Sequence, residues 1–334
     1  MSGASADAAT AARLRGAATI EVRGLSRRFG ARTAVAALNF RVAPGELFGL
    51  VGPDGAGKTT TLRMLAGVLR PSEGDALVDG ISVAREPERV KPHLAYMSQR
   101  FGLYTDLTVE ENLDFYADLY RVPRAERAAR LARLYAFSNL EPFRERLAGA
   151  LSGGMKQKLG LSCALVHEPR VLLLDEPTFG VDPVSRRDLW RIVHEMVGHG
   201  VTAVVSTAYL DEAERFDRLA LLYRGRLLAV DTPRALQASF AGALFELRLS
   251  RPRAARAAIE ALPGVERAQV FGDRLHVTLG DATATSASFA ALLRGAGIAV
   301  EDSPTQPAIA PIEPGLEDVF LARVAEAQAE EHAA

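Results

Sequence analysis

Short apolar runs recur along this chain at Leu47-Phe48-Gly49-Leu50-Val51, Leu94-Ala95-Tyr96-Met97-Ser98, Val171-Leu172-Leu173-Leu174 and Val201 to Ser206. They lack polar alternation, which marks strands covered on both faces, as in a parallel sheet flanked by helices. Helical periodicity fills the intervals. Leu62, Leu65 and Leu69 share one face after the first run, and Trp190, Ile192, Val193 and Met196 fall in a helix after the third. Residues 107–150 read mostly as helices: Thr108 and Glu111 form a capping box, and Leu113, Tyr116 and Leu119 fall on one side. Ile20-Glu21-Val22-Arg23 and Ala34 to Val42 read as strands around a turn at Gly30. Ala76 to Val83 reads as another strand, and Leu219 to Tyr223 with Leu227 to Val230 as a hairpin.

After about residue 242 the order of elements changes. Leu244 to Leu249 reads as a strand and Ala254 to Leu262 as a helix. Val265 to Phe271 and Arg274 to Leu279 are strands about a Gly272-Asp273 turn. Ser286 to Arg294 is a helix, and Ile298 to Glu301 a last strand. This β-α-β-β-α-β order predicts a small ferredoxin-like α+β module. Pro304 to Pro314 reads as a linker, and Leu316 to Val324 as a helix with Leu316, Phe320 and Leu321 inward. The expected organisation is a disordered leader over 1–17 and an α/β domain over 18–240, with a helical subdomain near 100–150. An accessory domain over 243–325 and a tail over 326–334 complete it.

Composition narrows the setting. Of 334 residues, 48% are hydrophobic, ample for two cores. A formal net charge of −1 gives no global attraction to nucleic acid or anionic lipid, and no nucleic-acid partner is expected. The arginine-rich stretch over 125–136 reads as a solvated helix face. No apolar run reaches bilayer length and no signal-peptide core opens the chain, so a cytosolic protein is expected, one that meets a membrane through a partner. Cys163, the one cysteine, sits in an apolar helical pattern and reads as a core residue.

Candidate chemistry begins directly after the first run. Gly52, Gly57, Lys58 and Thr59 satisfy the phosphate-loop pattern Gly-x-x-x-x-Gly-Lys-Ser/Thr. Glycines let backbone N–H groups close around phosphate oxygens, and the helix opening at Lys58 points its positive end at the same anion. Lys58 adds a mobile charge for the terminal phosphates, and the Thr59 hydroxyl can hold Mg²⁺. Val171 to Leu174 ends in Asp175-Glu176. Adjacent carboxylates closing an apolar strand are costly unless a cation or substrate uses them; Asp175 suits Mg²⁺ and Glu176 suits activation of a water. Ser152 is an N-cap ahead of Gly153 and Gly154, a second helix start open to an anion. Phe29 reads either as a core aromatic or as a stacking platform for a nucleobase. Gln99, at the end of its strand, has no role by itself.

Taken in order, these motifs resemble the ATP-binding subunit of ABC transporters over about residues 18–235. The phosphate loop Gly52 to Thr59, the Q-loop at Gln99 and the signature Leu151 to Gln157 carry the likeness. The Walker B strand Val171 to Glu176 and Asp182 in the D-loop complete it. Gln99-Arg100-Phe101-Gly102-Leu103-Tyr104, Leu107-Thr108-Val109-Glu110-Glu111-Asn112-Leu113 and Leu316-Glu317-Asp318-Val319-Phe320-Leu321 are similar to the type-two branch, which exports drugs and antibiotics. The resemblance implies that Phe29 stacks on adenine. Gly52, Pro53, Gly55, Ala56, Gly57, Lys58, Thr59 and Thr60 then cradle the phosphates. Thr59, Asp175 and Gln99 hold Mg²⁺, and Glu176 polarises the attacking water, with Gln99 and Lys58 beside it.

The same resemblance implies that Ser152, Gly153, Gly154, Gln157 and Asp182 serve ATP bound mainly by a second subunit, so two subunits close around two ATP molecules. The segment 100–150 then grips a membrane-spanning permease at the inner face of the cell membrane. Two positions depart from the family pattern. Asp54 stands where the family has Asn, and it is expected to point outward. Ala208 stands where the family has a histidine that contacts the γ-phosphate. The expected activity is ATP hydrolysis that powers export. The alternative is an ATP-dependent clamp or regulatory subunit with little intrinsic hydrolysis, which Ala208 favours.

Overall fold

In the computed structural model, residues 19–99, 102–300 and 308–333 are described; the leader expected over 1–17 and the positions of Arg100 and Phe101 lie outside them. The first alternating stretches form β1 (Ile20–Phe29) and β2 (Arg32–Val42), an antiparallel hairpin. The fully apolar run is β3 (Leu47–Val51), and α1 (Lys58–Leu65) follows the glycine-rich loop. The single strand expected over 76–83 is instead a tight hairpin of β4 (Glu73–Val78) and β5 (Ile81–Ser82). Asp79 and Gly80 turn it with φ of +49° and +79°, the paired left-handed conformations that join antiparallel strands.

The chain continues through β6 (Leu94–Met97), α2 (Val109–Leu119), α3 (Arg124–Ser138) and α4 (Gly153–Leu165). Next come β7 (Val171–Asp175), α5 (Pro183–Gly198), β8 (Thr202–Thr207), β9 (Arg218–Tyr223) and β10 (Arg226–Asp231). Two sheets result, a four-stranded one in the order β2-β1-β4-β5 and a six-stranded one in the order β10-β9-β3-β8-β7-β6. In the larger sheet β3, β6, β7, β8 and β9 run parallel, and only β10 is antiparallel. Every residue of β3, β7 and β8 is buried, as two-sided coverage requires. Phe40 stacks on Phe48 at 5.3 Å and joins the two sheets through one core. Gly49 admits the Phe216 ring there, since a Cβ on it would lie 2.4 Å from a ring carbon.

Parallel register decides what meets at the sheet's edge. Val51 lies beside Thr207, Asp175 beside Ser206, and Met97 beside Leu174. The segments leaving β3, β6, β7 and β8 therefore emerge together, at the end where open α/β sheets bind ligands.

The phase of α2 differs from the apolar reading. Thr108 and Glu111 do form the capping box, but the inward face is Val109, Asn112, Leu113 and Ala117, and Leu119 is 58% exposed. A buried polar residue sets this phase. The Asn112 amide accepts from Tyr104 N–H (3.0 Å) and donates to Tyr104 and Thr108 carbonyls (3.0 and 2.8 Å), fixing the loop ahead of the helix. The arginines of α3 are answered by acids, Arg127 by Asp118 at 2.7 Å and Arg130 by Glu126, in keeping with a solvated face. Cys163 is fully buried, and burial pushes its thiol far above the usual range.

A second compact unit begins at Arg234. It contains β11 (Ala243–Arg248), α6 (Pro252–Glu260), β12 (Val265–Phe271), β13 (Arg274–Leu279), α7 (Ser286–Gly295), β14 (Ile309–Pro311) and α8 (Leu316–Ala333). Its sheet order is β12-β13-β11-β14, with each neighbouring pair antiparallel, around a core that includes Phe245 and Phe289. The β-α-β-β-α-β order holds, but its last strand is displaced. Residues 298–300 form no ladder, although Ile298 and Val300 pack on the core, and β14 comes from the stretch expected as linker. A proline is tolerated there because β14 is an edge strand. The helix from Leu316 runs on to Ala333, through residues expected as a tail.

Candidate functional site

The loop between β3 and α1 closes on itself tightly. A Cβ at Gly52 would lie 2.2 Å from the Leu222 carbonyl oxygen, and Gly57 adopts φ +101° just before the helix. No side chain caps α1, so its first turn offers backbone N–H groups and a positive dipole end. Lys58, 4% exposed, donates from Nζ to the carbonyls of Gly52 (2.7 Å) and Pro53 (3.1 Å) and pairs with Glu176 Oε1 at 3.0 Å.

Around the end of β7 the two carboxylates are held by different sets of groups. Asp175 Oδ1 accepts from the hydroxyls of Thr59 (2.9 Å) and Ser206 (2.8 Å), and its Oδ2 accepts from Tyr96 at 3.3 Å. Burial, helped by the Asp175 charge, pushes the Tyr96 phenol up to about 12, so it remains a donor. Glu176 sits at φ +49°, unusual for a non-glycine residue, and its N–H donates to Ser206 Oγ (3.0 Å). Gln99 Nε2 donates to Glu176 Oε2 at 3.3 Å, so Gln99 meets Glu176 here and not the Thr59–Asp175 pair.

A cavity of about 500 Å³ opens over these groups, lined by Phe29, the loop from Asp54 to Thr60, Gln99 and Glu176. Phe29 is no core residue. It is 48% exposed and carries the Arg27 guanidinium 4.7 Å over its ring. Asp54 is exposed and also lines this cavity. Among the described residues no cluster of three His, Cys, Asp or Glu could cage a metal unaided. One carboxylate, one hydroxyl and one amide suit Mg²⁺, which keeps waters and shares the oxygens of a bound phosphate.

Ser152, Gly153, Gly154, Gln157 and Asp182 do not line this cavity. Ser152 Oγ accepts from Met155 N–H (3.3 Å) at the start of α4. Asp182 caps α5 through Val184 and Ser185 N–H groups at 3.1 and 3.0 Å, and the Ser185 backbone N–H holds its carboxyl below the usual range. Gly154 lies against Ser185, where a Cβ would approach its hydroxyl to 2.1 Å, so the two helix starts form one surface apart from the loop.

Three residues of the site carried no sequence signal. Ser206 and Tyr96 reach Asp175 only because of strand register. Glu212, 2% exposed, accepts from the hydroxyls of Thr178 (3.0 Å) and Thr207 (2.8 Å) and from Trp190 Nε1 (3.2 Å). It ties the segment after Glu176 to the segment that carries Ala208.

The ABC transporter family model matches residues 35–179. The chain is 38% identical over 267 residues to the Nod factor export ATP-binding protein I of Paraburkholderia xenovorans (strain LB400), covering 79% of this chain and 87% of that one. It is 33% identical over 312 residues to the daunorubicin resistance ATP-binding protein DrrA2 of Streptomyces coeruleorubidus, covering 90% and 94%. It is 53% identical over 230 residues to the "Probable multidrug ABC transporter ATP-binding protein YbhF" of Escherichia coli (strain K12); that match spans 68% of this chain but only 40% of the relative. Among solved structures, an ATP-binding subunit of an ABC transporter superposes with a TM-score of 0.61 at 33% identity, over 66% of this chain and 93% of that one. The dimeric cassette MJ0796 matches in fold, with a TM-score of 0.59 at 24% identity over 64% and 98%.

Removing the buried Glu212 carboxylate tests the tie. Glu212→Ala leaves two hydroxyls and an indole N–H without their acceptor and should destabilise the protein by about 3 kcal/mol. Glu212→Gln should cost about 1 kcal/mol. Urea denaturation curves of both variants against wild type check the ordering.

Proposed function

The chain belongs to the ATP-binding proteins of ABC transporters, and from that premise we propose that it hydrolyses ATP to power export through a separate membrane-spanning permease. One observation carries the reading: Lys58, Thr59 and Glu176 line one phosphate-loop cavity, Lys58 pairs with Glu176, and the buried Asp175 holds Thr59 from beneath. The relatives' names, which concern export and drug resistance, favour this over a clamp without turnover.

In this reading Lys58 exchanges its loop carbonyls for terminal phosphate oxygens, and the uncapped N-terminus of α1 adds N–H donors. Thr59 and Asp175 would hold Mg²⁺, with Gln99 near enough to Glu176 to complete the shell as the site closes. Bound there, Mg²⁺ neutralises charge that develops on the phosphates. Glu176, freed from Lys58, accepts a proton from the attacking water. Ser206 keeps Asp175 and the Glu176 backbone in place, so the carboxylates are positioned before substrate arrives. Phe29 offers its ring to the adenine.

Ser152, Gly153, Gly154 and Asp182 lie outside the cavity, which supports a second subunit as the source of the missing half. Hydrolysis is then conditional on two subunits closing. Tyr104, Phe115, Leu119 and Tyr120 are exposed on or beside α2 and supply an apolar surface for the permease. No helix among the described residues is long and apolar enough to cross a membrane, so attachment at the inner face of the cell membrane runs through that partner. The 243–325 region is proposed as an accessory domain without nucleotide-contacting residues.

Two outcomes are expected. Glu176→Gln should slow hydrolysis by about 10² to 10⁴ while binding persists, so size-exclusion chromatography with MgATP should show a dimer longer-lived than wild type. A monomer at saturating ATP, with binding verified, contradicts the composite site. Ala208 is exposed beside Thr207 and offers a methyl where a donor to the γ-phosphate would act. Ala208→His should raise kcat by up to about 10² to 10³ with little change in ATP affinity. Steady-state ATPase assays, with and without the permease, check this. No gain in either setting means that another group, such as Tyr209, supplies the donor.

A further inference from the structure

We infer that Arg32 is a further nucleotide-binding residue, whose guanidinium takes the phosphate next to the ribose and offsets the carboxylate that Asp54 adds to the phosphate loop. The inference rests on the nucleotide reading of the cavity and adds to it a second cation besides Lys58.

The β1–β2 hairpin fixes the placement. Arg32 is the strand partner of Phe29 across the turn at Gly30, so the aromatic platform and the guanidinium leave one short hairpin together. Arg32 Nη2 reaches to 3.9 Å from where a Cβ on Gly55 would lie, which puts its charge against the outer turn of the phosphate loop. Both residues line the cavity that also contains Asp54 and Lys58. The proposed base platform and the phosphate loop thus flank Arg32, and a nucleotide spanning them passes it with its first phosphate.

The charges around the cavity need such a cation. At the inner end Lys58 is already bonded to Glu176 and two carbonyls. At the outer end Asp54 adds another negative charge beside a polyanionic ligand. Arg32 is exposed, and among the described residues its guanidinium has no hydrogen-bond or ion-pair partner. A guanidinium presents parallel N–H donors that match phosphate oxygens, and an unengaged one loses no protein contact on binding. Arg32 makes no contact with Asp175 or Glu176, so its effect falls on binding of any nucleotide with that phosphate, whatever follows it.

Equilibrium titration of the full chain with ATP and with ADP tests this. Arg32→Ala should weaken both by a similar factor, about three- to tenfold at low salt, a charge-assisted hydrogen bond discounted for exposure. The deficit should shrink at high salt. Arg32→Lys should fall between the two, and Asp54→Asn in the Arg32→Ala background should restore part of the loss. Lys58→Ala is the control for the cavity itself. If Lys58→Ala loses binding while Arg32→Ala matches wild type for both nucleotides at low salt, the assignment of Arg32 is wrong and the nucleotide reading stands. If ATP binding falls but ADP binding does not, Arg32 acts on the terminal phosphate and the assigned position is wrong. If Lys58→Ala binds both as wild type does, the nucleotide reading fails and this inference with it.

Discussion

A carboxylate buried at the end of an apolar strand is unfavourable unless donors replace its lost water. Asp175, 1% exposed, meets that condition with three hydroxyls drawn from three separate elements: Thr59 of α1, Tyr96 of β6 and Ser206 of β8. Each donor arrives only if β6, β7 and β8 are neighbours in parallel register and α1 follows β3 beside them. The satisfied carboxylate therefore reports the whole arrangement of the larger sheet. It also fixes the surroundings of Glu176, whose backbone hangs from the same Ser206 hydroxyl in a conformation that L-residues rarely adopt. The site is built around a carboxylate that the protein solvates with its own hydroxyls.

The motif residues were legible because a tight glycine loop opening a helix, and a carboxylate closing an apolar strand, restrict residue types over a few consecutive positions. Gly52 and Gly57 must allow close approach, Lys58 must open the helix, and Asp175 must close an apolar strand. Ser206, Tyr96 and Glu212 were not legible, because each acts through tertiary contacts that no local spacing encodes. The misread elements have equally physical causes. Asn112 is buried with its amide satisfied, so apolar periodicity alone gave the wrong phase for α2 and turned Leu119 inward. Ile298 and Val300 bury side chains without joining a ladder, while a stretch marked by prolines supplies the edge strand Ile309–Pro311.

Separation is the second theme of this chain. The phosphate loop with its carboxylates, and the paired starts of α4 and α5, are both well formed, yet they occupy different surfaces. Such a division makes little sense for a self-sufficient enzyme and good sense for one whose chemistry waits on a partner. Glu212 links two segments, the one leading from Glu176 toward Asp182 and the one bearing Ala208, by accepting from Thr178, Thr207 and Trp190.

Subunit mixing tests this central claim most directly. Lys58→Ala disables the loop half, and Gly153→Asp, at a position with open space around it, places a carboxylate on the signature half without disturbing packing. Each variant alone should hydrolyse ATP at a small fraction of the wild-type rate. Mixed in equal amounts they should regain activity, because a mixed dimer assembles one site from the intact loop of one subunit and the intact signature of the other. A mixture no more active than its two components would contradict the shared site.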